Sequence, residues 1–237
     1  MIVYLSVKGV DYMVFFIDEK KYEYDNEEMS MRLLSTEGTE GNVYQIGDRA
    51  VKIYRPFCLK NRLDENTVDY LKTIETKRIL LPREKVTDKN GMFCGYTTEY
   101  VRPVNRELLT KLKMKKLLEE IKLFEQDTDI LTEKNVSIAD LTYNNIEYSD
   151  GIYFCDPGSF ELEDEDNRFN RFINCDLVRE FFIKDIICKY SKINKKLQKE
   201  LMDKFSYDIY LSEMIESTDF DENETMSQYV KKMINKR

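Results

Sequence analysis

The chain has 237 residues, 42% of them hydrophobic, and no histidine, which excludes Ser-His-Asp hydrolases, Cys-His proteases and His-ligated zinc enzymes. A formal net charge of −8 argues against a nucleic-acid-binding surface as the main role. The five cysteines form no C-x-x-C pair, and the N-terminus lacks a basic signal region, so we expect a reduced cytoplasmic protein without a membrane span.

In chain order, the first hundred residues are rich in strand-forming segments and contain one helical segment. Residues 1–30 carry extra N-terminal strands, and a tight hairpin turns at Gly47-Asp48. Residues 62–74 have the apolar spacing of a helix. The predicted strands are Met1–Val7, Tyr12–Ile17, Val43–Ile46, Ala50–Tyr54, Ile79–Val86 and Phe93–Val101.

After Pro103 the pattern becomes helical, so we expect a β-rich lobe at residues 1–101 and a helical lobe at residues 102–237. Short strands at Asn135–Ile138 and Ile152–Cys155 flank a polar loop at residues 138–146. The acidic run Glu161–Asp166 is typical of a solvated loop. The predicted helices are Met114–Leu131 and, to within about two to four residues at each end, residues 170–190, 194–205, 207–216 and 223–235.

A glycine pair and a lysine mark the first candidate site. Gly38 and Gly41 fit the latter part of a G-x-G-x-x-G-x-V phosphate loop, although Thr36 stands at the first glycine position and such pairs are often simple turns. Val43 would cover an adenine ring. Lys52 lies one hairpin further on, where an ammonium can neutralise the α- and β-phosphates, whereas a lone strand lysine is more often a surface residue.

A carboxylate is needed to hold the ammonium of Lys52. Glu65, on the helix that follows, is the candidate, and Asp64 and Glu75 compete with it. An acid at that place can equally serve the dipole of its own helix.

Three polar residues in the second half form the other candidate site. Asp140 precedes Asn145 by five residues, and Asp156 stands in Asp156-Pro157-Gly158. Phosphoryl transfer needs a carboxylate at the acceptor hydroxyl and oxygen ligands for Mg²⁺, which Asp140, and then Asn145 and Asp156, would supply. Asn144 offers an alternative register, and a surface turn is the simple alternative for Asp156.

The order of these motifs resembles the protein-kinase-like superfamily, which includes aminoglycoside and choline kinases. The resemblance covers about residues 33–160. It implies an α+β bilobal fold with a β-rich N-lobe containing one helix and a reduced helical C-lobe. It also implies a hinge at residues 97–101, with Thr98 as gatekeeper and the backbone of Glu99 and Val101 binding adenine.

The chain also departs from the typical protein kinase. The H-R-D motif reads Ile138-Ala139-Asp140, the D-F-G motif lacks its Phe, and no A-P-E follows. These losses disfavour control by a phosphorylated activation loop. They do not remove the predicted phosphate and metal ligands. We therefore expect an ATP- and Mg²⁺-dependent phosphotransferase acting on a hydroxyl of a protein or small molecule. The alternatives are a nucleotide-binding pseudokinase or scaffold, and a transferase of AMP.

Overall fold

A computed structural model of the chain describes residues 5–7, 10–17, 20–24, 31–36, 38, 40–55, 62–163, 167–204 and 209–235. The described residues form two compact units. The first takes in 1–75, 80–101 and 157–159, and the second takes in 76–79, 102–156 and 160–237. The first unit is mainly sheet and the second mainly helix, which confirms the predicted α+β class with a β-rich N-terminal part.

Antiparallel strands dominate the first unit. Its described strands follow the order β1-β2-β7-β8-β6-β5-β4. Strand β3 lies outside this order and pairs with β2. The strands are β1 (Leu5–Val7), β2 (Val10–Ile17), β3 (Lys20–Tyr24), β4 (Arg32–Ser35), β5 (Gly41–Ile46), β6 (Arg49–Tyr54), β7 (Glu84–Asp88) and β8 (Phe93–Glu99). The predicted hairpin is present as β5–β6, and Gly47 at its turn has a φ of 60°, a left-handed conformation that glycine adopts without strain.

Helix α1 (Glu65–Leu71) is shorter than the predicted segment at residues 62–74. Its start is fixed because the Asp64 side chain accepts a hydrogen bond of 2.8 Å from the backbone N–H of Thr67. Val68 and Leu71 are its buried residues. Asp64 is therefore a helix cap, and one competitor for the Lys52 partner already has a structural task.

The predicted strand at Ile79–Val86 is wrong in its first half, because β7 begins at Glu84. Pro82 has no N–H to give to a ladder and restricts the residue before it, so an interior strand cannot run through it. Ile79 instead forms an isolated parallel bridge with Phe154 in the second unit.

The second unit is built around a long helix, α2 (Met114–Glu133), whose apolar face is buried as its spacing predicts. Two short antiparallel pairs accompany it: β9 (Val136–Ser137) with β12 (Glu161–Leu162), and the hairpin of β10 (Ile146–Tyr148) with β11 (Ile152–Phe154). The other helices are α3 (Asn167–Phe181), α4 (Lys195–Lys204), α5 (Leu211–Glu216) and α6 (Met226–Asn235).

The helix predicted over residues 170–190 changes its winding part-way. It is α-helical to Phe181 and π-helical over Phe182–Cys188. The apolar spacing of the segment predicts a helix but does not anticipate this change of winding. A π turn contains about one residue more than an α turn, and such turns are frequent at functional sites.

Several predicted segments lie partly outside the described residues: Met1–Tyr4 and residues 25–30 at the N-terminus, Glu37 and Thr39 of the phosphate loop, residues 164–166 of the acidic run, and residues 207–208 of a helix. Within the part of the chain that is described, no helix combines the length and apolarity needed to cross a membrane.

Candidate functional site

One face of the first unit's sheet brings together several of the residues predicted to bind nucleotide. Val43, Lys52, Tyr96 and Lys85 stand directly opposite one another across β5, β6, β8 and β7. Residues opposite one another in neighbouring strands point to the same side, and Thr98, two residues after Tyr96, shares that side. The alternate residues of the strands enter the apolar core, with Tyr44, Val51, Ile53 and Val86 among its members.

Two ion pairs flank this row. Lys52 Nζ donates to Glu40 Oε2 at 2.6 Å, and Lys85 Nζ donates to Glu65 Oε1 at 2.7 Å. Lys85 also contacts Asp69 on α1 at 3.0 Å, so this lysine holds the helix to the sheet. In this structure Glu65 pairs with Lys85, which lies two strands away from Lys52. The role of Glu65 as partner of Lys52 stays a prediction. Sequence reasoning missed Glu40, although it stands beside Gly41 in the quoted motif.

The two glycines of the predicted phosphate loop differ in their surroundings. A Cβ at Gly41 would overlap the backbone carbonyl of Ile53, so glycine is required there by the close approach of β5 to β6. A Cβ at Gly38 would come no nearer than 3.4 Å to the carbonyl oxygen of Gly41. Gly41 therefore has a structural reason of its own, and phosphate binding by either glycine stays a prediction.

The segment predicted as a hinge leaves the sheet at the end of β8. Thr98 is buried, whereas Glu99 is exposed and its carboxylate pairs with Arg83. The N–H of Tyr100 donates to the carbonyl of Asp48 at 2.8 Å, which fixes the chain just before Val101. The adenine contacts assigned to the backbone of Glu99 and Val101 stay predictions.

The second unit places Asp140 and Asn145 in contact. Asp140 is exposed and has a φ of 54°, an uncommon left-handed conformation for a residue with a side chain. The Asn145 amide donates to both the Asp140 carbonyl, at 2.9 Å, and its Oδ2, at 2.8 Å. These two bonds use the amide nitrogen, so they leave the amide oxygen available as an acceptor. Backbone strain of this kind persists where neighbouring contacts hold it and is common at functional sites.

Asn145 and Asp156 lie at the same end of the β10–β11 pair. Ile146 faces Phe154 in the ladder, and the N–H of Cys155 donates to the carbonyl of Asn145 at 2.8 Å. Burial raises the pKa of the Cys155 thiol to about 12, so it stays neutral beside Asp156. The structure thus brings Asp140, Asn145 and Asp156 to one end of this hairpin.

The donor atoms at this end fit magnesium better than a transition metal. Asn145 and Asp156 offer amide and carboxylate oxygens, which are hard ligands, and Mg²⁺ typically takes one or two carboxylates together with substrate phosphates. Across the described residues, no three His, Cys, Asp or Glu side chains gather as a metal site. An ion held here would therefore need oxygens from a bound phosphate as well.

Asn174 on α3 holds the start of this loop, and sequence reasoning missed it. Its side chain is fully buried, accepts from the N–H of Ile138 at 2.8 Å, and donates to Thr132 Oγ1 and to the Val136 carbonyl, each at 2.9 Å. A buried asparagine whose amide oxygen and both N–H groups are hydrogen-bonded fixes its neighbours in one arrangement. It therefore positions the backbone two residues before Asp140.

A second group of contacts holds the middle of the loop. The ring of Tyr143 has Lys189 Nζ over one of its faces at 2.8 Å from the centroid and Arg106 Cζ at 5.1 Å. Arg106 also pairs with Glu147 at 3.2 Å. Burial raises the pKa of Asp185 in the π-helical segment, and a hydrogen bond from the backbone N–H of Tyr143 opposes that rise. The π-helical segment and the residue after it thus place Asp185 and Lys189 against the loop, which the sequence pattern did not reveal.

Comparison with known proteins yields one kind of likeness. No protein-family model matches the chain, and no curated protein matches it. Among solved structures, the PknI kinase domain of Mycobacterium tuberculosis is similar, with a TM-score of 0.47 and 15% identity, covering 70% of this chain and 76% of that chain.

Proposed function

We propose that the chain is an ATP- and Mg²⁺-dependent phosphotransferase whose acceptor is a hydroxyl of a protein or small molecule. In the first unit, Gly38, Gly41 and Lys52 would bind phosphates. The adenine-binding residues of the same unit would be Val43, Thr98, Glu99 and Val101. In the second unit, Asp140 would orient the acceptor, and Asn145 and Asp156 would hold Mg²⁺.

The observation that carries the proposal is the pair formed by Asp140 and Asn145. An exposed carboxylate, held in a left-handed backbone by a neighbouring amide, is suited to accept a proton and does not stabilise a packed core. The same amide keeps an oxygen for a metal, and Asp156 lies at the same end of the hairpin. Mg²⁺ would supply neutralisation of the charge on the phosphates.

The proposed phosphoryl transfer needs no reactant besides ATP and the acceptor. The acceptor oxygen attacks the γ-phosphorus, the bond between that phosphorus and the bridging oxygen breaks, and ADP leaves with the bonding electrons. The hydroxyl proton passes to the carboxylate of Asp140 and then to solvent. Lys52, on the sheet face opposite the apolar core, would neutralise the α- and β-phosphates.

Nucleotide binding is the first experiment, because it needs no knowledge of the acceptor. Titration with ATP and Mg²⁺ should give saturable binding and thermal stabilisation, by about 2.7 kcal/mol at a hundred times the dissociation constant. Lys52→Met should weaken binding strongly, whereas Lys72→Met, which changes an ion-paired lysine directly after α1, should leave it unchanged. Equal binding by wild type and Lys52→Met would remove Lys52 from the site.

Turnover is the second experiment. The protein is incubated with ATP labelled at the α- or γ-phosphate, alone and with peptide and small alcohol acceptors. Label from the γ position should reach an acceptor with wild type, and Asp140→Asn should reduce this by a factor of about 10² to 10⁴ while still binding ATP. Transfer of α label would indicate AMP transfer, and binding without transfer of either label would indicate a nucleotide-binding scaffold.

A further inference from the structure

Glu40 already places a negative charge on the lysine that is proposed to bind phosphate. It directly precedes β5, and its backbone carbonyl accepts from the N–H of Arg55 at 2.8 Å, which anchors it beside the end of β6. Its carboxylate accepts from Lys52 Nζ at 2.6 Å. The pair is largely shielded from solvent, since 9% of the Lys52 side chain and 16% of the Glu40 side chain are exposed.

A shielded pair of this kind resists exchange more than a surface pair does. Separating the two charges leaves each of them poorly solvated, unless another anion takes the place of the carboxylate. A phosphate that reaches Lys52 must therefore either displace Glu40 or share the ammonium with it. In both cases a carboxylate stays close to the incoming phosphates, and the repulsion grows with the number of charges that the ligand carries.

We infer that Glu40 is a specificity-determining residue that occupies the phosphate position on Lys52 and so discriminates among nucleotides by their charge. This inference rests on the proposed function of Lys52. It assigns the ligand class as adenine nucleotides and predicts that the selectivity lies in the phosphates. Adenosine, which brings no phosphate, does not compete with Glu40, whereas ADP competes with it and ATP competes most.

The test compares the affinity of three ligands for the full chain and its variants. Adenosine, ADP and ATP are titrated in one buffer containing Mg²⁺, with wild type and with Glu40→Gln, which keeps the shape and removes the charge. The variant should bind ATP about tenfold more tightly, since the apparent affinity of wild type is limited by the fraction of molecules in which Lys52 has separated from Glu40. The gain should be smaller for ADP and absent for adenosine.

Two further variants separate this effect from a general change of charge. Glu84→Gln removes a carboxylate that pairs with Arg49 at 2.6 Å and lies on the opposite side of the sheet, so it should leave all three affinities unchanged. In a Lys52→Met background, Glu40→Gln should give no gain, because the ammonium that it releases is absent.

The outcomes distinguish this inference from the proposed function. If wild type binds ATP and Glu40→Gln binds it equally or more weakly, Glu40 does not compete, and the inference fails while the function stands. If neither wild type nor Glu40→Gln binds any nucleotide, both fail. Binding of ATP by Glu40→Gln but not by wild type supports both.

Discussion

Helix α2 and the loop after β9 both carry acidic residues of the second unit, but the two regions use them differently. Glu120 on α2 is fully buried, and its carboxylate accepts from Arg78 at 2.7 Å and from the N–H of Ile152 at 3.0 Å. Asp127, also on α2, is 1% exposed and accepts from three consecutive backbone N–H groups, those of residues 77–79. Asp140 in the loop is exposed and contacts a single amide side chain, that of Asn145.

The difference shows how the same functional group becomes structural or reactive. A buried carboxylate that satisfies several donors cannot release them without leaving those donors unpaired, so it is committed to the fold. An exposed carboxylate with one amide neighbour holds no buried donor, so it stays accessible to a ligand. The comparison therefore predicts that substitutions in α2 change stability, whereas substitutions in the loop change chemistry.

The largest effect is expected at Glu120. Glu120→Ala should lower the free energy of unfolding by about 3 to 5 kcal/mol, because it leaves the largely shielded guanidinium of Arg78 without its carboxylate. Asp140→Asn should change it by less than about 0.5 kcal/mol, since asparagine also tolerates a positive φ. Urea denaturation of both variants measures the contrast, and a large loss of stability in Asp140→Asn would make Asp140 a structural residue.

The sequence predicted helix α2 but not that its acidic residues are buried and hydrogen-bonded. Apolar spacing correctly predicted a helix from Met114, and turn residues correctly predicted the hairpin at Gly47. Nothing in that spacing distinguishes Glu120 from a solvated acid. Its local partner Lys116 is an ordinary i,i+4 pair, whereas Arg78 and Ile152 are more than thirty residues away along the chain. Local pattern identifies elements, whereas the pairing of buried charges depends on contacts between distant segments.

The same limit applies to the candidate site. The spacing of Asp140 and Asn145 was readable because both lie in one loop, and the structure places them in contact. The contact between Lys52 and Glu40 was not readable, because the sequence pointed to Glu65 and only the placement of the residue before β5 beside β6 brings Glu40 within 2.6 Å of Lys52 Nζ. The π-helical segment also escaped prediction, since its buried residues Phe182, Ile183, Ile186 and Ile187 have the three- and four-residue spacing of an ordinary α-helix.

Asn174 connects the two regions, and its substitution should affect both. Asn174→Ala removes the acceptor for the Ile138 N–H and the donor to Thr132 on α2, so the free energy of unfolding should fall by about 1 to 3 kcal/mol. Because this side chain positions the backbone before Asp140, γ-phosphoryl transfer should also slow while ATP affinity is retained. Asn174→Asp keeps the acceptor and should restore part of the rate, whereas equal rates in wild type and Asn174→Ala would exclude a positioning role.

The smallest effect expected is a change in how stability depends on pH, caused by a third acid of α2. Burial raises the pKa of Glu125, and hydrogen bonds from Ser212 only partly oppose this. The folded chain therefore binds this proton more tightly than the unfolded chain, so protonation stabilises the fold. The contribution of Glu125 to the free energy of unfolding should rise as the pH falls from above its raised pKa toward the ordinary value of about 4.3.

Glu125→Gln isolates this contribution, since glutamine fills the same space and does not titrate. The difference in unfolding free energy, wild type minus variant, should become more favourable to wild type as the pH is lowered through that window. Urea denaturation at several pH values measures it. A difference that stays constant with pH would mean that Glu125 titrates in the fold as it does in the unfolded chain, which would contradict the prediction.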